Sequence, residues 1–220
     1  SLEMIDADNP CSGESNWRAC EEPSGGTPGR RNSVTTFNPD HLAPMLQYGM
    51  GIDSHHIVLR FSESLDSLSA SKKESYHISN APIQILSARP LSPSFEEVVL
   101  ETDLLDTGVL YELYVTGVAD CIGNTLPQQI FIGRKKQPDS LKVLINEMLF
   151  DPHTGGYDYV ELVNNSNSVF DLRDLYIAHR NSWGMITDAI PLSETTRPFY
   201  PGQWLVITED TNSVKRNYFV

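Results

Sequence analysis

The sequence predicts an all-β fold class built from β-sandwich modules. Short segments alternate apolar and polar side chains, and turn-forming residues separate them at intervals of about eight to twelve residues. No long stretch repeats apolar residues with the period of about 3.6 that an amphipathic helix requires. A chain of 220 residues is long enough to bury a sizeable core without metals or cross-links.

The opening segment, residues 1–34, is rich in glycine and proline turn signals. Only Leu2, Met4 and Trp17 look able to bury apolar surface there. Because the segment cannot form a core by itself, we expect it to lie on another domain or to be loose.

The middle region alternates with strand period from Ile57 onward, where Ile57, Leu59 and Phe61 share one face. Residues 67–75 could hold one short helical turn. Further strand candidates are Ile78 and residues 83–85, 98–100, 110–115 and 129–132, before a basic turn at 134–136.

Residues 137–140 form a predicted linker to a last module at 141–220. Its strand candidates are 141–145, 159–163, 171–177 and 204–207, and residues 210–218 have a helical pattern. The module lacks the later strands that close a sandwich, and an unpaired sheet edge would invite association.

Three motifs of the middle region follow a family pattern: FSESLD at 61–66, YEL at 111–113 and VADCIGNTL at 118–126. The region 37–134 thereby resembles a bacterial immunoglobulin-like domain of the surface-layer-protein type. The resemblance implies one complete immunoglobulin-like β-sandwich, which we assign to residues 37–136.

Both ends resemble parts of a lamin-tail domain, a family that is itself an immunoglobulin-like sandwich. Motifs that resemble its beginning are VLINEMLFDP at 143–152, GYDYVELVN at 156–164 and YPGQWLVI at 200–207. Motifs that resemble its end are SLEMI at 1–5, NWR at 16–18 and GGTPGRRNS at 25–33. Residues 1–34 and 141–220 would then be the C-terminal and N-terminal parts of such a fold. Since these parts are complementary, we predict that they assemble, within one chain or as a swap between molecules.

The formal net charge of −13 argues against nucleic acid and anionic lipid as partners. No run of about 18 apolar residues occurs, so no transmembrane helix is expected. The chain opens and stops within patterns, so we expect a piece of a longer protein, and its lack of a signal peptide does not bear on export. The family resemblance implies a secreted or cell-envelope protein on the extracellular face.

Three cysteines are present, and Cys11 and Cys20 lie nine positions apart in a loop-rich stretch. That spacing can close a small disulfide, the alternative being two reduced thiols, and export favours the disulfide. Cys121 is then expected to be a buried, small apolar residue. The absence of a CxxC pair disfavours a zinc ribbon.

Two groups could hold a metal ion, but each has a plainer structural interpretation. His55 and His56 are neighbours before a strand, where adjacent side chains face opposite sides, so we expect loop residues. Asp120, Gly123 and Asn124 suit a turn and fall short of the roughly six to eight oxygens that calcium takes. We therefore predict no metal site.

Glu147 and Glu161 could serve as the acid and base of glycoside hydrolysis. The family signature instead implies structural roles, as hydrogen bonds to loop backbone or pairs with basic side chains. No nucleophile elbow, P-loop or GxGxxG motif occurs. We expect neither enzymatic activity nor a cofactor.

The last module is rich in aromatic residues, which are more often core and corner residues of a sandwich than a binding platform. These residues are Trp183, Trp204, Tyr157, Tyr159, Tyr176, Phe199 and Tyr200. Trp183 lies in a polar loop and is the candidate binding residue.

The sequence thus predicts a non-catalytic structural, adhesive or interaction module of a larger secreted or cell-surface bacterial protein. Its expected partners are other domains of that protein, a carbohydrate or protein ligand, or a second copy through swapping or edge pairing. The alternative is a carbohydrate-binding accessory module of a secreted hydrolase, which an exposed row of aromatic residues on one sheet face would favour.

Overall fold

The computed structural model describes residues 1–10 and 12–218, and its fold is all-β, as predicted. The strands are β1 (Leu2–Met4), β2 (Trp17–Ala19), β3 (Leu46–Gly51), β4 (His56–Phe61), β5 (Tyr76–Ile78), β6 (Ile85–Pro90), β7 (Glu97–Thr102), β8 (Leu110–Val115), β9 (Gln128–Gly133), β10 (Val143–Leu149), β11 (Tyr159–Asn164), β12 (Phe170–Asp171), β13 (Tyr176–Arg180), β14 (Ile186–Pro191), β15 (Pro198–Phe199) and β16 (Trp204–Thr208). The helices are α1 (Ser67–Ala70) and α2 (Thr211–Asn217), and 3-10 turns occupy Gly13–Asn16, Lys73–Ser75 and Leu172–Asp174. No described helix is long and apolar enough to cross a membrane.

The chain forms two compact units. The first comprises Ser1–Leu105 and Tyr111–Ile132, and the second comprises Asp106–Leu110 and the described part of Gly133–Val220. A parallel bridge between Thr107 and Arg134 joins the short 106–110 segment to the second unit. Residues 1–34 belong to the first unit. Their assembly with 141–220, within one chain or between molecules, stays a prediction.

Two antiparallel sheets pack on one core in the first unit. One sheet has the order β3-β4-β7-β6 and the other has the order β5-β8-β9. Ile57, Leu59 and Phe61 of β4 are fully buried, as their alternation predicted, and they share the core with Leu113 of β8 and Ile132 of β9. The middle region is therefore a β-sandwich.

A short helix follows β4 because Asp66 caps it. Its carboxylate accepts the backbone N–H of Ser69 at 2.8 Å and of Leu68 at 3.4 Å, which satisfies the open donors of the first turn. The helical turn predicted within 67–75 is thus confirmed as α1 and the 3-10 turn that follows it.

Polar side chains rather than apolar ones hold the opening segment together. The buried carboxylate of Glu3 accepts hydrogen bonds from the Thr27 and Ser33 hydroxyls at 2.5 and 2.7 Å, which hold its pKa at about 2. Buried Asn16 bridges the backbone of Asp6 and Asn9. These hydrogen bonds stabilise the opening segment, whereas packed apolar side chains stabilise the sandwich.

Two large apolar side chains of the opening segment, Leu2 and Trp17, remain on the surface. Leu2 is 69% exposed and Trp17 is 46% exposed. The register pairs Met4 with Trp17 and Leu2 with Ala19, so these four side chains share one face of the β1–β2 hairpin. We call Leu2, Met4, Trp17 and Ala19 the hairpin face. The expectation that this segment buries Leu2 and Trp17 is wrong within the chain.

The second unit has a small core and several separate sheets. A three-stranded sheet has the order β10-β11-β16, β13 pairs with β14, and β12 pairs with β15. Phe170, Leu172 and Phe199 form the fully buried core. The helix α2 begins after Asp210, whose carboxylate accepts the N–H groups of Asn212 and Ser213, which confirms the helical pattern near 210–218.

Candidate functional site

The β10-β11-β16 sheet of the second unit has two chemically different faces. Because side chains alternate along a strand, Trp204 and Val206 lie on one face, here called the outer face. Leu205 and Ile207 lie on the other, the inner face. Glu161 is paired with Val206 across the β11–β16 ladder and therefore belongs to the outer face.

A cleft of about 460 Å³ opens on the outer face between β16 and α2, and we call it the Trp204 cleft. Its lining includes Trp204, Gln203 and Glu161, together with Arg197 from the segment before β15 and Lys215 from α2. The Trp204 side chain remains 54% exposed, so its ring is accessible to a ligand. A volume of this size suits a small-molecule site.

The charged groups of the Trp204 cleft differ in whether they have hydrogen-bond partners within the fold. Glu161 accepts a hydrogen bond from the Asn146 side chain at 2.8 Å. The side chains of Arg197 and Lys215 form no ion pair or hydrogen bond with any residue that the structure describes. The cleft therefore presents two cations that form no ion pair with the described part of the chain.

The inner face forms a second, apolar groove of about 280 Å³, which we call the inner groove. Val143, Ile145 and Leu162 line its sheet side, and Leu175 and Leu192 line the opposite side. The groove is open, because Ile145 is 60% exposed although it lies on the inner face. This face of the unit is a sandwich interior that the described residues leave partly uncovered.

The strand β10 borders the inner groove and lies at the edge of its sheet. Among the described residues it pairs only with β11, so the other side of its backbone has no ladder partner there. The edge is seven residues long and carries exposed Met148 next to Ile145 and Glu147. Long apolar edges of this kind favour association with another chain.

Trp183, the binding residue proposed from the sequence, lies apart from both surfaces. It occupies the turn between β13 and β14, where its backbone N–H donates to Asn181 Oδ1 at 3.0 Å. Its side chain is 82% exposed and lines neither the Trp204 cleft nor the inner groove. In the sequence, Trp204 stood out only as one of several aromatic residues, although the alternation of residues 204–208 places it on the face opposite Leu205.

Glu147 and Glu161 lie directly opposite each other on β10 and β11. The Tyr159 hydroxyl donates to Glu147 at 2.5 Å, and the Asn146 amide donates to Glu161. The hydrogen bond to Glu147, followed by partial desolvation, raises the pKa of Tyr159 to about 12. The partners of both carboxylates are therefore neutral side chains, not the loop backbone or basic residues that the sequence suggested.

An acidic cluster lies in the first unit, where one oxygen each from Asp40, Glu63 and Asp120 falls within 4.8 Å of the others. Burial, together with the charges of Asp40 and Asp120, raises the pKa of Glu63 to about 7. These oxygens could hold a divalent cation. The sequence pointed only to Asp120, because Asp40 and Glu63 are distant from it in the chain.

The Asp120 carboxylate already serves the turn that the sequence predicted. Oδ1 accepts the N–H groups of Ile122, Gly123 and Asn124 at 3.0, 2.7 and 2.9 Å, and Oδ2 accepts the Asn124 amide at 2.8 Å. The structural interpretation of Asp120 therefore has geometric support in these four hydrogen bonds.

The two adjacent histidines do not meet. His56 Nδ1 lies 2.9 Å from Asp53 Oδ2, whereas His55 Nδ1 lies 3.2 Å from the Thr102 carbonyl oxygen. Each ring thus has its own partner, as expected for neighbours that face opposite sides of a chain.

The cysteines differ from the predicted pairing. Cys20 is a free thiol, and its sulfur lies 3.5 Å from the Ser33 hydroxyl. Cys121 is disulfide-bonded and exposed, rather than a buried apolar residue. The predicted Cys11–Cys20 bond is therefore wrong, because Cys20 is a free thiol. Cys11 lies outside the described residues. Spacing alone misled, because nine positions permit a bond without requiring one.

No protein-family model and no curated protein matches the chain. Three solved structures are similar to it: the crystal structure of the S-layer protein rSbsC(31-844), the N-terminal part of the bacterial S-layer protein SbsC, and surface layer protein SbsC, domains 1-6. Their identities are 12%, 14% and 11%, and their TM-scores are 0.40, 0.37 and 0.40. The match covers 76–78% of this chain but only 32–42% of those chains. TM-scores this low do not establish a common fold.

Proposed function

We propose that the chain is a non-catalytic interaction module of a larger secreted or cell-surface bacterial protein. The observation that carries this proposal is the open inner groove beside the β10 edge. An apolar interior face left uncovered in water is unfavourable at about 25 cal/mol per Å² of apolar surface. A protein partner that covers the groove would remove that cost.

The partner that fits best is the hairpin face of a second copy. That face is also apolar and also exposed, as Leu2 and Trp17 show. One contact would cover both surfaces, which the described residues leave open. The contact joins different patches of two copies, so it can repeat and link copies into rows.

The disulfide at Cys121 supports an exported location. Disulfides persist in secreted and cell-surface proteins, whereas the bacterial cytosol keeps most thiols reduced. The net charge of −13 keeps such a module soluble and away from nucleic acid.

Sedimentation velocity over a concentration series tests the proposal. We expect larger species as the concentration of the wild-type chain rises, and their loss in Trp17→Glu or Ile145→Glu. Trp183→Glu is the matched control, because Trp183 is the most exposed tryptophan and lines neither surface. A chain that stays monomeric throughout the series, or a control that behaves like Trp17→Glu, would contradict self-association.

A carbohydrate-binding accessory module is the second candidate function. The observation that favours it is the accessible indole of Trp204 on the outer face, with partly buried Tyr159 on the same face. Aromatic rings present an apolar surface to a ligand and so suit sugar rings.

A further inference from the structure

The Trp204 cleft joins an accessible aromatic ring to two cations. Arg197 and Lys215 line it together with Trp204, and one carboxylate, Glu161, completes its charged lining. The cleft therefore carries a local excess of one positive charge within a chain whose net charge is −13.

The side chains of both cations are free of contacts with described carboxylates and so can bind a ligand. The chain has 29 acidic side chains, yet neither Arg197 nor Lys215 pairs with one among the described residues. Other cations of the chain do form such pairs, as Arg60 does with Glu96 and Arg173 does with Asp171. A guanidinium and an ammonium left unpaired beside an aromatic ring are the groups that recognise a carboxylate or sulfate.

We infer that the Trp204 cleft binds an acidic saccharide, one whose sugar ring carries a carboxylate. This inference rests on the second candidate function and names its ligand class. The open side of the cleft admits a residue within a chain of sugars, since the indole is accessible.

Each group of the cleft has a part in this recognition. The face of the Trp204 ring carries partial negative charge and attracts the polarised C–H groups of a sugar ring. The Arg197 guanidinium matches a carboxylate with two parallel hydrogen bonds, and Lys215 adds a point charge. Glu161 accepts, and Gln203 accepts or donates, hydrogen bonds with the ring hydroxyls.

The acidity of the whole chain does not prevent such binding. At physiological ionic strength charges are screened over about 8 Å, so distant carboxylates contribute little to the field in the cleft. The nearby Arg197 and Lys215 therefore decide which charge is accepted.

Titration calorimetry with a galacturonic acid oligomer, and with the neutral galactose oligomer as its matched probe, tests the inference on the intact chain. We expect binding of the acidic oligomer, and at least about tenfold weaker binding of the neutral one. Trp204→Ala and the double variant Arg197→Gln/Lys215→Gln should each weaken acidic binding by about tenfold or more. These side chains are exposed, so the variants leave the core intact.

Two controls match these variants. Trp183→Ala removes an exposed tryptophan outside the cleft, and Arg216→Gln removes the neighbouring cation of α2, which does not line it. Both should bind like the wild-type chain. Equal affinity for the two oligomers, or unchanged binding in the double variant, would contradict selection of an acidic saccharide. Either result would still be consistent with a site for neutral sugars.

Absence of binding to either oligomer would overturn the inference together with the accessory-module function. It would leave self-association untouched, because that proposal depends on the opposite face of the sheet. Sedimentation of the Trp204→Ala variant separates the two, since its concentration dependence should equal that of the wild-type chain.

Discussion

The buried carboxylate of Asp171 accepts two hydrogen bonds from the guanidinium of Arg173, at 3.0 Å from Nε and 2.6 Å from Nη2. The same carboxylate accepts the backbone N–H groups of Arg173 and Arg197. Asp171 thereby ties β12 to the segment before β15, next to the small core of the second unit. Burial alone would raise the pKa of Asp171, but these hydrogen bonds outweigh burial and hold the pKa below its usual value.

We expect Asp171→Asn to destabilise the second unit by about 2 kcal/mol, because it removes a buried charge from its paired guanidinium. Urea unfolding followed by the fluorescence of Trp183 and Trp204 measures the change. Asp188→Asn is the control, since Asp188 is exposed. A midpoint equal to that of the control would contradict the assigned role.

The pH dependence of the second unit follows from the same pair. The folded pKa of Asp171 is depressed. Its contribution to the stability of the unit is therefore fully present above the unfolded pKa of about 4, and it is lost as the pH falls through the folded pKa. The wild-type unit should lose stability in acid more steeply than the Asp171→Asn variant does.

Glu63 gives the stability of the first unit a pH dependence opposite to the one that Asp171 gives the second unit. Its folded pKa of about 7 exceeds the ordinary glutamate value of 4.5, so ionisation favours the unfolded chain as the pH rises between these values. We expect Glu63→Gln to stabilise the first unit by about 1–2 kcal/mol near pH 8, after allowance for partial exposure, and to leave it little changed near pH 4.

Hydrogen exchange of peptides from β4 and β8, with a chelator present, measures this effect for the first unit alone. Exposed Glu74→Gln is the matched control and should show no such gain. A Glu63→Gln variant that is less stable than the wild type near pH 8 would contradict the account.

Gly49 lies where β3 packs tightly against the sandwich core. A Cβ atom there would meet Ile132 Cγ2 at 2.7 Å and Leu59 Cδ2 at 2.8 Å. We expect Gly49→Ala to destabilise the first unit by about 1–3 kcal/mol through overpacking. Gly26→Ala, where the nearest contact is 3.4 Å, should cost far less in a thermal unfolding comparison.

The thiol chemistry of the chain can be checked directly by mass spectrometry. Without reductant, iodoacetamide should label Cys20 and leave Cys121 unlabelled, and Cys121 should become labelled after reduction. Labelling of Cys121 before reduction would show that its disulfide does not form in solution.

The sequence predicted those strands whose side chains alternate clearly. Residues 57–61, 98–100 and 110–115 lie in β4, β7 and β8, because one face of each strand fills the core. It missed β3, in which Gly49 and Gly51 carry no side chain to show a period. Alternation reports burial, so a strand that packs through glycine gives no such signal.

The candidate sites depended on contacts between distant parts of the chain. Arg197, Trp204 and Lys215 lie close together in the chain, but Glu161 joins them only because β11 pairs with β16. Asp40 and Asp120 are brought together across most of the first unit. The spacing of residues in one sequence does not show which distant side chains come into contact. It did predict the turn at Asp120, because that turn is formed by neighbouring residues.

Mixing two complementary variants tests the central claim, that the hairpin face of one copy covers the inner groove of another. Trp17→Glu keeps an intact groove, and Ile145→Glu keeps an intact hairpin face. We predict that each variant alone sediments as a monomer and that the mixture forms a one-to-one complex, which cannot grow further because each copy has lost one surface. A mixture that sediments as the two separate monomers, at concentrations where the wild-type chain associates, would contradict the claim.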